Sequence, residues 1–117
     1  MHGKLVEYYK NGKLKYKGNY KDGEMHGKLV EYYENGQLKY KVNYKDGKKN
    51  GEWFYYNKTG KLSVKESYNN GEKHGKWIGY YGNGRLKYKV NYKDGKKNGE
   101  CFYYNKTGKL SCNFPSS

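Results

Sequence analysis

Alanine does not occur in this chain, arginine occurs once, as Arg85, and proline once, as Pro115. No stretch has apolar residues recurring at three- and four-residue spacing, so no amphipathic helix is expected. Apolar residues are scarce as well. They fill 33% of the 117 positions, and 17 of these residues are Tyr. A phenol hydroxyl keeps water or a partner, so a core made of Tyr must be thin and half exposed. No apolar run approaches the ~18 residues of a membrane span, and the opening MHGKLVEYYK has no apolar signal region, which leads to the expectation of a soluble, cytoplasmic protein. Acid is short too, with 11 Asp and Glu against 25 Lys and Arg, a formal charge of +14. That excess predicts attraction to anionic surfaces and names a class of partner without identifying one.

What the chain does have is a phrase that returns. Gly3, Gly27, Gly51, Gly75 and Gly99 stand 24 residues apart and open units 3–26, 27–50, 51–74 and 75–98, with a partial fifth at 99–117. Stretch 38–63 recurs as 86–111 with one change, Trp53 to Cys101. Such a period is read as a repeat architecture, with residues 1–117 as one repeat domain.

Inside a unit the pattern is that of strands. Leu14, Tyr16, Gly18 and Tyr20 alternate with Lys13, Lys15, Lys17 and Asn19, which predicts an apolar row on one face and a Lys row on the other. Asn-Gly or Thr-Gly marks one end of each strand pair, and Asp-Gly or Asn-Gly the other, so each unit reads as a β-hairpin. A three-residue loop closed by Gly12 pairs Tyr8 with Leu14 and Val6 with Tyr16, keeping apolar residues together, and calls for a left-handed glycine and a bulge. A lone hairpin is marginal in water, so the units are expected to stack edge to edge. The expectation is an all-β, elongated, single-layer antiparallel sheet of stacked hairpins, with the tail SCNFPSS as an end cap whose Pro115 blunts the edge.

The run YKGNYKDGEMHGKL resembles the MORN repeat, through Tyr16, Gly18, Tyr20, Gly23, His26 and Gly27. A further glycine of that pattern is Leu29 here, and Gly18 becomes Val42, Glu66 and Val90 in later units. In these departures the chain resembles the bacterial MORN variant found in antitoxin-like proteins. The resemblance implies an extended antiparallel sheet and a non-catalytic binding or scaffolding role.

No residue set reads as an active site. His2, His26 and His74 share a unit position with Asn50 and Asn98, so the position asks for a polar turn-stabilising group, not an imidazole. Units about 10 Å apart also cannot bring their histidines within ~2.0 Å of one zinc ion. Asp22, Asp46 and Asp94 alternate with Asn70, which suits a turn and not acid–base work. No metal, cofactor or enzymatic activity is expected. Cys101 and Cys112 fall on opposite faces in the register above, so two free thiols are expected. The sequons at Asn57 and Asn105 read as turns.

The candidate site is the face opposite the leucines. There, Lys15, Lys39, Lys41, Arg85 and Lys87 are expected to project between Tyr9, Tyr33, Trp53, Tyr55, Trp77 and Tyr81, a basic and aromatic surface with exposed Trp rings. The resemblance implies an antitoxin-like or inhibitor-like role, in which this surface would bind a protein effector with an acidic surface, or that effector's nucleic acid. Nucleic acid and anionic membrane lipid are the other candidate partners, and exposed sheet edges offer a route to homo-oligomers.

Overall fold

The structure, a computed structural model, describes residues 3–107. Their strands are β1 (Gly3–Tyr8), β2 (Leu14–Lys21), β3 (Glu24–Met25), β4 (Gly27–Tyr32), β5 (Leu38–Lys45), β6 (Lys48–Lys49), β7 (Gly51–Tyr56), β8 (Leu62–Asn69), β9 (Glu72–Lys73), β10 (Gly75–Tyr80), β11 (Leu86–Lys93) and β12 (Lys96–Tyr103). All lie in one antiparallel sheet, in the order β1-β2-β4-β5-β7-β8-β10-β11-β12, with the short β3, β6 and β9 pairing to β2, β5 and β8. The molecule measures 45 × 32 × 11 Å, so its thin dimension is one sheet deep. This is the single-layer stack of hairpins that the period and turn signals predict. The expected end cap, His2 and Cys112 lie outside the described residues.

Turn chemistry sets both margins of the sheet. At the Asn-Gly end, Gly12 N–H donates to the Tyr9 carbonyl at 2.9 Å, Tyr9 N–H donates to the Lys13 carbonyl at 2.8 Å, and Gly12 has φ +87°. This is the expected three-residue loop with a left-handed glycine. At the other end Asp22 and Gly23 have φ +52° and +80°, and Asp46, Asn70 and Asp94 repeat the first value within a few degrees. Both central residues of a two-residue hairpin loop of this hand need positive φ, which Asp and Asn tolerate better than other non-glycine residues.

Register departs from expectation by one residue. Tyr8 does pair with Leu14, but Glu7 then pairs with Tyr16, Val6 with Lys17 and Leu5 with Gly18, because Lys15 is an extra residue in β2. The same bulge recurs opposite Glu31/Tyr32, Tyr55/Tyr56 and Gly79/Tyr80. Cross-strand partners share a face, so the expected single stripe divides. Leu14, Leu38, Leu62 and Leu86 lie on one face, while Tyr16, Tyr20, Tyr40 and Tyr44 lie on the other. Without the bulge Trp77 would face Lys89. With it, Trp77 pairs with Val90, and both are buried.

The core therefore sits on the tyrosine side. Val42, Trp53, Trp77, Val90 and Cys101 are the buried apolar residues, with Trp53 and Trp77 only 5% and 8% exposed. Rings meet edge to face along Tyr44, Trp53, Tyr68 and Trp77, and Tyr92 lies tilted against Trp77, with centroids 5.2 to 5.4 Å apart. Each indole N–H is satisfied across a unit boundary, Trp53 Nε1 by the Asn43 carbonyl at 2.8 Å and Trp77 Nε1 by the Ser67 carbonyl at 2.9 Å. The expectation of exposed tryptophans is thus corrected, since ring neighbours from two hairpins cover each indole. Cys101 is also corrected. It is disulfide-bonded, not free.

Polar ties at both margins hold successive units. Gly47 N–H donates to the Met25 carbonyl at 3.0 Å and Gly71 N–H to that of Lys49 at 2.7 Å. His26 Nδ1 accepts from Asp46 N–H at 3.4 Å, and Asn50 Oδ1 accepts from Asn70 N–H at 3.1 Å. Both atoms place one acceptor at similar reach, which is why His and Asn interchange here. His74 is the exception, its Nδ1 buried with no hydrogen-bond partner. At the opposite margin, Tyr9, Tyr33 and Tyr81 hydroxyls donate to the carbonyls of Tyr32, Tyr56 and Tyr104 at 2.6, 2.8 and 2.6 Å. Asn57 instead accepts from Thr59 N, Thr59 Oγ1 and Lys61 N, so this sequon forms a turn.

Candidate binding surface

The two faces of the sheet differ in kind. On the tyrosine face, burial and then a hydrogen bond to Glu31 at 2.8 Å push the Tyr40 phenol well above its usual range. Burial and Glu66 do the same to Tyr68, and burial lifts Tyr55 to about 12 and raises Tyr88. Folding thus keeps protons on phenols that the unfolded chain releases near pH 10. Stability should be independent of these groups below pH 10 and fall as pH rises from 10 through 12. Thermal melts followed by circular dichroism across that window check this, and a melting temperature that stays level to pH 12 contradicts the packing described.

The expected site residues separate into three groups. Lys15, Lys39 and Lys87 ammonium groups lie over the rings of Tyr9, Tyr33 and Tyr81 at 5.8, 5.7 and 5.7 Å, so these pairs do come together. They belong to the tyrosine side, because Lys39 also binds Glu31 at 3.2 Å and Glu31 is the partner of Tyr40. The contact with Glu31 raises the Lys39 pKa. Trp53, Tyr55 and Trp77 are part of the ring row, where Lys49 and Lys73 cover the indoles at 4.7 and 4.8 Å. Arg85 is exposed beside a turn, its N–H donating to Asn83 Oδ1 at 2.9 Å. Of the expected residues, Lys41 alone takes a place on the lysine face proper.

That face carries an arrangement the single-strand pattern does not announce. Val6 pairs with Lys17, Lys17 with Val30, Val30 with Lys41, Lys41 with Phe54, Phe54 with Lys65, Lys65 with Ile78, Ile78 with Lys89 and Lys89 with Phe102. One row thus crosses the whole sheet, alternating an apolar side chain with a lysine. The order arises because each unit's first strand supplies an apolar residue at this level and its second strand a lysine. Lysines therefore recur at two strand spacings, about 10 Å. Lys41 and Lys65 flank the Phe54 ring at 5.9 and 5.8 Å, and Lys65 also pairs with Glu52 at 2.9 Å.

The rows beside it differ from each other. One side holds Lys4, Lys28 and Lys76 opposite Asn19, Asn43 and Asn91, with Glu52 opposite Ser67. The other holds Tyr8, Tyr32, Tyr56 and Tyr80 opposite the four leucines, Tyr8 being 62% exposed and the leucines half-buried. The apolar residues of the central row were the ones missed by sequence reasoning. Their signal was the middle residue of Leu-Val-Glu, Trp-Phe-Tyr and Trp-Ile-Gly at one place in each unit.

Among the described residues no three His, Cys, Asp or Glu side chains gather as a metal site requires. What the geometry offers is a broad amphipathic plane, basic along one margin and aromatic along the other. A comparison with family models finds the MORN repeat variant at residues 1–22, 25–46, 49–70 and 73–94. These stretches fill most of the chain, and the protein belongs to the MORN repeat variant family. Its repeats are generally binding repeats for proteins or membrane lipids and are not typically catalytic. A comparison with curated proteins finds no match.

Proposed function

We infer that this protein is a non-catalytic, inhibitor-like binding module of the antitoxin kind, which lays its lysine face over an acidic protein surface and masks it. The observation that carries the reading is the unbroken cross-sheet row of lysines and apolar side chains. Charge alone would attract any polyanion, and duplex binding would fall with salt at a slope near −0.9 per phosphate neutralised. Val30, Phe54 and Ile78, set between the lysines, add an apolar contribution that salt does not screen. The departures from the common repeat at Leu29, Val42 and Val90 agree with the antitoxin-like variant.

The test compares two double variants against poly-glutamate, duplex DNA and phosphatidylserine vesicles over a salt series. Lys41→Glu with Lys89→Glu should abolish retention on poly-glutamate, whereas Lys15→Glu with Lys39→Glu, on the tyrosine side, should leave most of it. Retention by wild type should outlast duplex and vesicle binding as salt rises. The reverse order, with duplex or vesicle binding surviving longest, would overturn the protein-directed reading.

A further inference from the structure

We propose that the partner segment is an acidic amphipathic α-helix that lies across the strands along the row from Val6 to Phe102, with acidic residues at a seven-residue spacing. The proposal rests on the reading of the lysine face as a docking surface for an acidic protein, and names the element that fits it.

The fit is one of repeat distances. Lysines 17, 41, 65 and 89 stand on alternate neighbours in the sheet order, about 9.6 Å apart for a strand spacing of ~4.8 Å. Seven residues of α-helix advance ~10.5 Å. An acidic side chain at every seventh position therefore meets successive lysines with a drift of about 1 Å per step, which flexible lysine stems absorb. Halfway between the lysines stand Val30, Phe54 and Ile78. Halfway between the acids, three and four residues on, the same helix presents its apolar positions. Phase and distance agree together, which a uniform coat of charge would not require.

The flanking rows set the sense of rotation. Lys4, Lys28 and Lys76 on one side, interrupted by Glu52, which pairs with Lys65, call for the helix's acidic flank, and Tyr32, Tyr56 and Tyr80 with Leu38, Leu62 and Leu86 on the other take its apolar flank. The molecule is long enough for an extended rod, measuring 45 Å in its longest dimension. Eight steps from Val6 to Phe102 span about 38 Å, the length of roughly 25 helical residues.

Phosphate chains match less well. Successive phosphates of B-form duplex rise ~3.4 Å per strand and wind around the axis, so they leave a flat row within a few residues. A bilayer surface offers anions with no registry.

The probe is a synthetic peptide of four heptads with Glu at one position and Leu three and four residues on. It is set against an isomer of the same composition whose Glu residues recur every fifth position and so spiral around the helix. Fluorescence anisotropy near 0.15 M salt should favour the registered peptide by about tenfold or more. Lys41→Gln with Lys89→Gln should remove that preference while the circular dichroism spectrum is retained. Equal binding of both isomers would overturn the helix register and leave the acidic-protein reading standing. Binding of neither peptide, with phosphatidylserine vesicles bound instead, would overturn both.

Discussion

Trp77→Ala should unfold this protein or lower its melting temperature steeply. The indole is 8% exposed, packs between Tyr68 and Tyr92 at 5.2 Å from each, and donates Nε1–H to the Ser67 carbonyl of the preceding hairpin. Truncating a buried Trp to Ala typically costs about 3–5 kcal/mol, against about 5–15 kcal/mol for a whole domain. A sheet with no second layer has little elsewhere to offset the loss. Trp77→Phe keeps a ring against Val90 and loses the hydrogen bond, so it should fall well short of that. Thermal melts of both variants, with near-ultraviolet dichroism as a report on ring packing, decide the matter. If Trp77→Ala melts with wild type, the indole is a surface group after all and the division of faces is wrong.

Removing a whole period should do less harm than removing that one ring in proportion to its size. Deleting residues 39–62 joins Leu38 to Ser63, and Ser63 is the extra residue of its own strand just as Lys39 is of β5. The bulge, the turns and the alternation of faces therefore continue through the junction. Because units touch mainly their neighbours, stability in such an array is approximately a sum of unit and interface contributions. The deletion protein should stay folded, with an unchanged β spectrum per residue, a lower melting temperature and a long dimension shorter by about 10 Å, two strand spacings. Small-angle scattering measures that shortening directly. Loss of the β spectrum would mean that the ring row from Tyr44 to Tyr92 acts as one indivisible core.

Both outcomes bear on how the lysine face works. If the array tolerates loss of a unit, the cross-sheet row loses one lysine and one apolar residue, and binding should decline by a step instead of vanishing. Under the proposed masking role, reach would grow with each added hairpin, since each brings one more lysine at the same spacing.

Much of the architecture was present in the chain as letters. Asn11-Gly12 and Asp22-Gly23 are local signals, because positive φ at these residues is a property of the turn itself. The period of 24 and the alternation within strands then suffice for a stack of hairpins. The His and Asn interchange was legible for a similar reason, as both supply one short acceptor to the next turn.

The faces were decided only in three dimensions. Leu14, Lys15 and Tyr16 keep perfect alternation in sequence, and nothing local marks Lys15 as the residue without a partner. Placing it outside the ladder turns every residue beyond it to the other side, and the gain is non-local: Trp77 comes to lie beside Val90 and not Lys89. From that one displacement follow the burial of Trp53 and Trp77 and the enclosure of Cys101. So do the separation of the Lys15, Lys39 and Lys87 pairs from Lys41, and the lysine row itself, whose members stand 11 or 13 residues apart from their neighbours and meet only when the hairpins pair.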